Sequence, residues 1–394
     1  MTEKINTSWP SFTLEEIKAV QNTLLSNKVN YWTGQEGRNF EKEFSAFVDC
    51  KYAIAVANGT LSIDLAFIAL NIGCNNGGSN DDEVVVTSRT FLASVSTIVN
   101  AGAKPVFADV DLDSQNLELR SIREKITINT KAIVCVHLAG WPCEMDKIMS
   151  LADEFDLYVI EDCAQAHGAK YKGTPVGSIG HIGSWSFCQD KIMTTGGEGG
   201  MVTTNDESLW RKMWAYKDHG KSYEAVYERE HPEGFRWLHE SFGSNYRMTE
   251  MQAAIGRIQL KRMPGWHKKR LSNANSIWTA AKQCKGLRVP AIPVYIEHAA
   301  YKCYVFVKGG VELRDKMMME INEKGVPCYS GSCSEVYLEK AFDNTGFRPK
   351  ERLPVAKELG ETSLMFLVHP TLTKEEIQKT CDVLTEVALA NYDG

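Results

Sequence analysis

Short apolar runs rich in β-branched residues recur along the first two-thirds of the chain, separated by segments whose apolar positions repeat at helical spacing. The runs Tyr52–Val56, Glu83–Thr87, Pro105–Asp109, Ala132–Val136 and Tyr158–Glu161 read as strands covered on both faces, as in a mainly parallel sheet. Between them, Leu61–Leu70, Phe91–Ala101 and Glu144–Phe155 read as helices. This alternation predicts an α/β fold that presents its chemistry at the carboxyl ends of the strands. Further on, Thr249–Leu260 and Trp266–Cys284 read as two long helices, and Pro290-Ala291-Ile292-Pro293 breaks the pattern. A strand at Tyr304–Val307 and a helix at Leu313–Lys324 then predict a smaller α+β unit. The expected division is a large domain with an N-terminal arm over residues 1–262 and a small domain over 263–394.

Composition narrows the function more than the fold. A length of 394 residues with 43% apolar and 24% charged side chains is ordinary for a soluble globular protein with a sizeable core. A net charge of −6 gives no overall field for nucleic acid or anionic lipid. No run approaches the ~18 apolar residues of a membrane span, and the polar start lacks a secretory core. The eleven cysteines form neither a CxxC pair nor a zinc-type cluster, so reduced thiols, a cytoplasmic setting and no metal centre are expected.

Transamination requires a lysine that bonds to a cofactor aldehyde, a carboxylate against a pyridine nitrogen, an anion cradle and a flat cover for the ring. Asp162 ends the apolar run Leu157–Asp162, where an α/β protein presents acids. An acid in that place is also a common helix cap. Lys191 follows the apolar Ser184-Trp185-Ser186-Phe187 and precedes a glycine-rich turn, with Ser186 five residues before it. The junction Asn58-Gly59-Thr60-Leu61 leads from strand to helix, and free amides at a helix N-terminus attract phosphate. The Gly196-Gly197-Glu198-Gly199-Gly200 run has neither dinucleotide nor P-loop spacing.

With these residues in place, the sequence resembles the DegT/DnrJ/EryC1/StrS sugar aminotransferases over nearly its whole length. The landmarks run in order: Trp32-Thr33-Gly34, Phe40-Glu41, Asn58-Gly59-Thr60, Thr90-Phe91, Ala101 to Phe107, Asp109-Val110-Asp111, Glu161 to Ala169, Lys191, Gly199-Gly200, His219-Gly220 and Asn245 to Met248. The resemblance implies an aspartate-aminotransferase-like fold (pyridoxal-phosphate fold type I). It also implies pyridoxal 5'-phosphate as cofactor, glutamate as amino donor and a homodimer with shared sites. By the same resemblance, Lys191 is the cofactor lysine, Asp162 faces the ring nitrogen and Gln165 the ring hydroxyl. Ser186, Thr60 and Leu61 hold the phosphate, Phe91 covers the ring, and Asn245 reaches a neighbouring subunit's phosphate.

Three departures fall where substrate is expected: Ser88-Arg89 before Thr90, Cys188-Gln189-Asp190 before Lys191, and Cys328-Tyr329-Ser330-Gly331-Ser332-Cys333-Ser334. Thr33, Arg89 and Tyr329 are accordingly the expected substrate contacts, with Arg89 suited to a carboxylate. Within the family the resemblance runs to members that aminate the 8-oxo form of the acidic sugar Kdo to 8-amino-Kdo, for lipopolysaccharide. The alternatives are a nucleotide-linked keto-sugar aminotransferase and a catalytically idle regulator or scaffold. The intact lysine, acid and cradle count against idleness.

Overall fold

The computed structural model describes residues 4–5, 7–230, 234, 236–332 and 334–392. Its centre is a seven-stranded sheet of β1 (Tyr52–Val56), β2 (Glu83–Thr87), β3 (Lys104–Ala108), β4 (Thr130–Val136), β5 (Tyr158–Asp162), β6 (Ile182–Ser186) and β7 (Gly200–Thr204). The order across the sheet is β1-β7-β6-β5-β4-β2-β3. Only β7 runs against its neighbours, so the sheet is mixed and mostly parallel. Its strands carry side chains such as Val84, Val86, Val134 and Ile160, all inaccessible to solvent. Burial on both faces explains why they read as unbroken apolar runs. The helix Gly59–Ala69 packs on β6 and β7, toward the β1 edge of the sheet.

A second sheet, β8 (Leu287–Arg288), β9 (Cys303–Val307), β10 (Cys328–Tyr329) and β11 (Ser363–Phe366), is antiparallel in the order β8-β9-β11-β10. Helices Gly310–Glu323 and Lys374–Tyr392 complete its core around Met317, Ile321, Leu364, Phe366 and Leu384. The first described residues lie against this part of the molecule, where the Ile5 amide donates to the Gly325 carbonyl at 3.0 Å.

One expectation is corrected. The segments expected as two helices form one, Glu250–Lys282, which runs through Pro264. A Thr249–Gln252 capping box starts it. Proline removes one amide donor and disfavours an interior turn. Burial on either side outweighs that cost: Ala253, Leu260 and Met263 pack against the large sheet's core, and Ala274, Ile277 and Ala281 against that of the small sheet. A boundary at 262/263 therefore falls inside a continuous helix. Among the described residues, no helix is long and apolar enough to cross a membrane.

Candidate active site

The carboxyl ends of β5 and β6, the start of helix Gly59–Ala69 and the edge of the small sheet enclose a cavity of about 830 Å³. Thr60, Leu61, Phe91, Asp162, Gln165, Ser186, Lys191 and Tyr329 all line it. Residues read separately from the sequence thus meet in one place.

Asp162 closes β5 and is 6% exposed. Its Oδ2 accepts from the Ser94 hydroxyl at 2.7 Å and its Oδ1 from the Ala164 amide at 3.1 Å. Ser94 in turn shares a 2.8 Å hydrogen bond with Thr90. A carboxylate held from two sides keeps one orientation, with lone pairs to spare for a ligand. Gln165 is anchored by its carbonyl, because Oε1 accepts from the Ala139 amide at 2.8 Å; its donor, Nε2, is the end left for a ligand. Ala139 presents that amide at a φ of 58°, a conformation costly for a side chain with a Cβ.

The cradle is built from the turn between β1 and its helix. Asn58 caps the helix by accepting from the Leu61 amide at 3.0 Å. The Leu61 amide is therefore engaged within the chain. The first-turn amides that a helix cannot pair internally here belong to Gly59 and Thr60. Glycine is required at 59, since a Cβ there would stand 2.5 Å from the Ser186 Cβ. The close approach brings the Ser186 hydroxyl beside the helix start, as a phosphate-binding pocket needs.

Lys191 has a side chain 15% exposed, its Nζ 3.9 Å from Asp190 and 5.5 Å from the Tyr301 ring centre. Its backbone is fixed independently: the amide donates to Cys188 O at 3.1 Å, and the carbonyl accepts from Trp9 Nε1 at 2.7 Å. Burial works against a charged Asp190, yet Lys191, the Tyr301 hydroxyl and Lys302 hold its carboxyl below the ordinary range. Burial, with Lys191 and Arg270, drives the His167 imidazole down to about 3 and so keeps it neutral. Phe91 borders the cavity with 63% of its surface exposed, an open flat cover.

Two expected substrate contacts, Arg89 and Thr33, lie elsewhere. Arg89 is 0% exposed and outside the cavity lining, so it is neither a cavity wall nor a surface ion pair. Its guanidinium donates to Gln115 Oε1 at 2.9 Å, to Ser363 Oγ at 3.1 Å and to Ser334 Oγ, and lies over the Tyr304 ring. It ties the large sheet's surroundings to the small sheet. Arg89→Met is therefore expected to lower unfolding free energy by about 2–4 kcal/mol, because buried acceptors lose their donor. Chemical denaturation checks this; wild-type stability with a raised substrate KM would return Arg89 to substrate binding. Thr33 is exposed and lines a separate cleft with Glu36, Glu250 and Arg257. Asn245 is exposed and lies outside the cavity lining. In the departing segment 328–334, Tyr329, Gly331 and Ser332 face the cavity; Cys333 lies outside the described residues.

Sequence reasoning passed over Ser94, Tyr301, Lys302, Tyr304 and Glu198, all of them cavity residues. The one available signal was Tyr301-Lys302-Cys303-Tyr304, a lysine between tyrosines at the head of an apolar run. The cluster His137, Glu161 and Cys163, whose ligand-type atoms lie within 4.8 Å, serves the fold. Glu161 accepts from the amides of Gly177, Ile179 and Gly180 and from His137, at 2.6–2.9 Å.

The family model "DegT/DnrJ/EryC1/StrS aminotransferase family" matches residues 10–385. The chain belongs to this family. This DegT/DnrJ/EryC1/StrS aminotransferase is 34% identical over 391 residues to the GDP-perosamine synthase of Escherichia coli O157:H7, covering 96% of each chain. It is 31% identical to the dTDP-3-amino-3,6-dideoxy-alpha-D-galactopyranose transaminase of Aneurinibacillus thermoaerophilus, over 94% of each. A solved aminotransferase from Psychrobacter cryohalolentis is 63% identical, with a TM-score of 0.94 over 98% of this chain and 100% of that one. The protein is thus a pyridoxal-phosphate-dependent aminotransferase.

The residues present fit that cofactor: a glycine-opened cradle for its phosphate, an oriented carboxylate, an amide donor and a lysine border one cavity. When bound, pyridoxal phosphate supplies the electron sink that lets a substrate Cα–H bond break. The chain would present the oriented carboxyl group of Asp162 to that group, and the Lys191 amine would be the one to bond to a carbonyl and carry a proton.

Proposed function

We propose that this aminotransferase moves an amino group from glutamate to a keto- or aldehydo-sugar, with Lys191 as the cofactor-bonding amine and proton carrier. Asp162 holds the ring nitrogen protonated, and Gln165, Ser186, Thr60 and Phe91 fix the remaining cofactor groups. The observation that carries the reading is the convergence of Lys191, Asp162, Gln165 and Ser186 on one cavity that Tyr301, Tyr304, Tyr329 and Ser332 line with polar and aromatic groups. Such a lining suits a polyhydroxylated ring. Asn245, exposed and outside its own cavity, is available to a neighbouring subunit, in keeping with a homodimer.

For the acceptor we propose the 8-oxo form of Kdo, aminated to 8-amino-Kdo for lipopolysaccharide. Its support is the altered approach Cys188-Gln189-Asp190 together with the altered 328–334 segment, both at the cavity. A nucleotide-linked keto-sugar is the second reading, favoured by the names of the relatives. Glutamate and a panel of both sugar types, with products weighed by mass spectrometry, decide between them. The expected product is the amino form of the acidic sugar with 2-oxoglutarate. Turnover of nucleotide-linked sugars alone would overturn the acceptor assignment, and no turnover with any sugar would favour an idle relative.

A further inference from the structure

Among the described residues that line the cavity, only Lys191 and Lys302 carry a positive charge. In the amino-transfer reading Lys191 is engaged by the cofactor, which leaves Lys302 as the cation facing an incoming molecule. Lys302 precedes β9 and sits over the Tyr301 ring at 4.7 Å. Its ammonium has no hydrogen bond or ion pair among the described residues. The neighbouring acid, Asp190, is already bonded to the Tyr301 hydroxyl and lies beside Lys191.

Near Lys302 lies Arg270, 1% exposed, on the long helix. Among the described residues its Nε and Nη2 have no partner, and the guanidinium's one hydrogen bond is a 3.4 Å contact from Nη1 to the Tyr301 carbonyl. The guanidinium lies 4.9 Å from the Trp9 ring centre. Lys302 in the cavity lining and Arg270 buried near it, outside the lining, are two cations without a paired carboxylate, a costly arrangement in a folded protein unless an anion completes it.

We propose that Lys302 receives the carboxylate of the incoming substrate in this cavity. The proposal rests on the amino-transfer reading for the substrate's class, and both the amino donor and an acidic sugar offer that carboxylate. A second observation agrees. Burial, then Arg270 and Lys191, lower the Lys302 ammonium to about 8, although Asp190 works in the opposite direction. The groups facing it are Asp190 and Lys191 from the loop after β6, Arg270 from the long helix, its neighbour Tyr301, and His369. Burial, Arg270 and Lys302 bring His369 down to about 4, so it adds no charge near neutrality. Tyr301 stays protonated, since burial and Asp190 push its hydroxyl well up. With Lys191 engaged by the cofactor, burial and Arg270 still hold the ammonium below lysine's ordinary value, so its charge, and carboxylate affinity with it, is lost as pH rises through the alkaline range.

The test uses the cofactor-loaded enzyme and its Lys302→Gln and Lys302→Arg variants. Binding of succinate, an unreactive dicarboxylate, is measured by calorimetry between pH 6.5 and 9.5, values chosen to bracket the titration. Lys302→Gln should weaken succinate about tenfold or more and abolish the loss of affinity toward the alkaline end of that range, while Lys302→Arg retains binding throughout it. Cofactor content should match the wild type. The two half-reactions then separate the sources: a raised KM for glutamate alone marks the donor site, for the acidic sugar alone the acceptor site, and for both a shared one. Unaltered succinate binding in Lys302→Gln, or loss of cofactor, would overturn the proposal. Because succinate binding needs no turnover, weakened binding in an enzyme that aminates no sugar would uphold Lys302 and reject the function reading instead.

Discussion

Lys191→Ala is expected to lose amino transfer by more than about 10⁴-fold, beyond what removal of a proton-transfer group alone costs, while the protein folds normally. The amine has two tasks in the proposed reaction, bonding to the cofactor and moving the proton, and no neighbour replaces both. Lys302 shares the cavity but belongs to another element, just ahead of β9, and stands beside the same Tyr301 ring. Folding should survive because the backbone of residue 191 is held by Cys188 and Trp9 and not by its own side chain. Single-turnover assays with glutamate, together with circular dichroism, check both halves. Turnover within tenfold of wild type would remove Lys191 from the chemistry.

Asp162→Asn should retain cofactor and lose about a thousandfold in kcat. At ~4 Å and an effective dielectric of about 20, a carboxylate attracts a protonated ring nitrogen by about 4 kcal/mol. Each 1.36 kcal/mol is roughly tenfold in rate, so losing that stabilisation of the electron sink gives the estimate. The amide has the carboxylate's shape and can still accept from Ser94 or Ala164, so the site should keep its form. Ser94→Ala removes only the orienting hydroxyl and should cost far less, about tenfold. An Asp162→Asn variant with wild-type kcat would assign this acid to structure alone.

The parts of the fold legible in the sequence are those written in local pattern. β1 and β2 appear where the β-branched runs place them, and β3 and β5 within a residue at each end. Asp162 was legible because it closes a strand, and strand ends are where this architecture presents side chains; Ser186 was legible from its place five residues before Lys191. Pro264 misled because its local cost is visible in sequence, whereas the burial that overrides it on both sides is not. Arg89 shows the same limit. Its partners Gln115, Ser334 and Ser363 lie 26, 245 and 274 residues away, and only the folded chain brings them together. A position next to a ring-covering residue says nothing about which way an arginine turns. Lys302 and Tyr301 were missed for a related reason, since the small sheet's contribution to the cavity depends on how the two sheets meet.

The central claim is that the cofactor is held at Lys191 in a cavity built for amino transfer. Borohydride treatment of the yellow holoenzyme followed by peptide mass mapping tests it most directly. The account predicts bleaching of the near-visible absorbance and one labelled peptide, with the cofactor's mass on Lys191. A label on Lys302 or on any other lysine would contradict it.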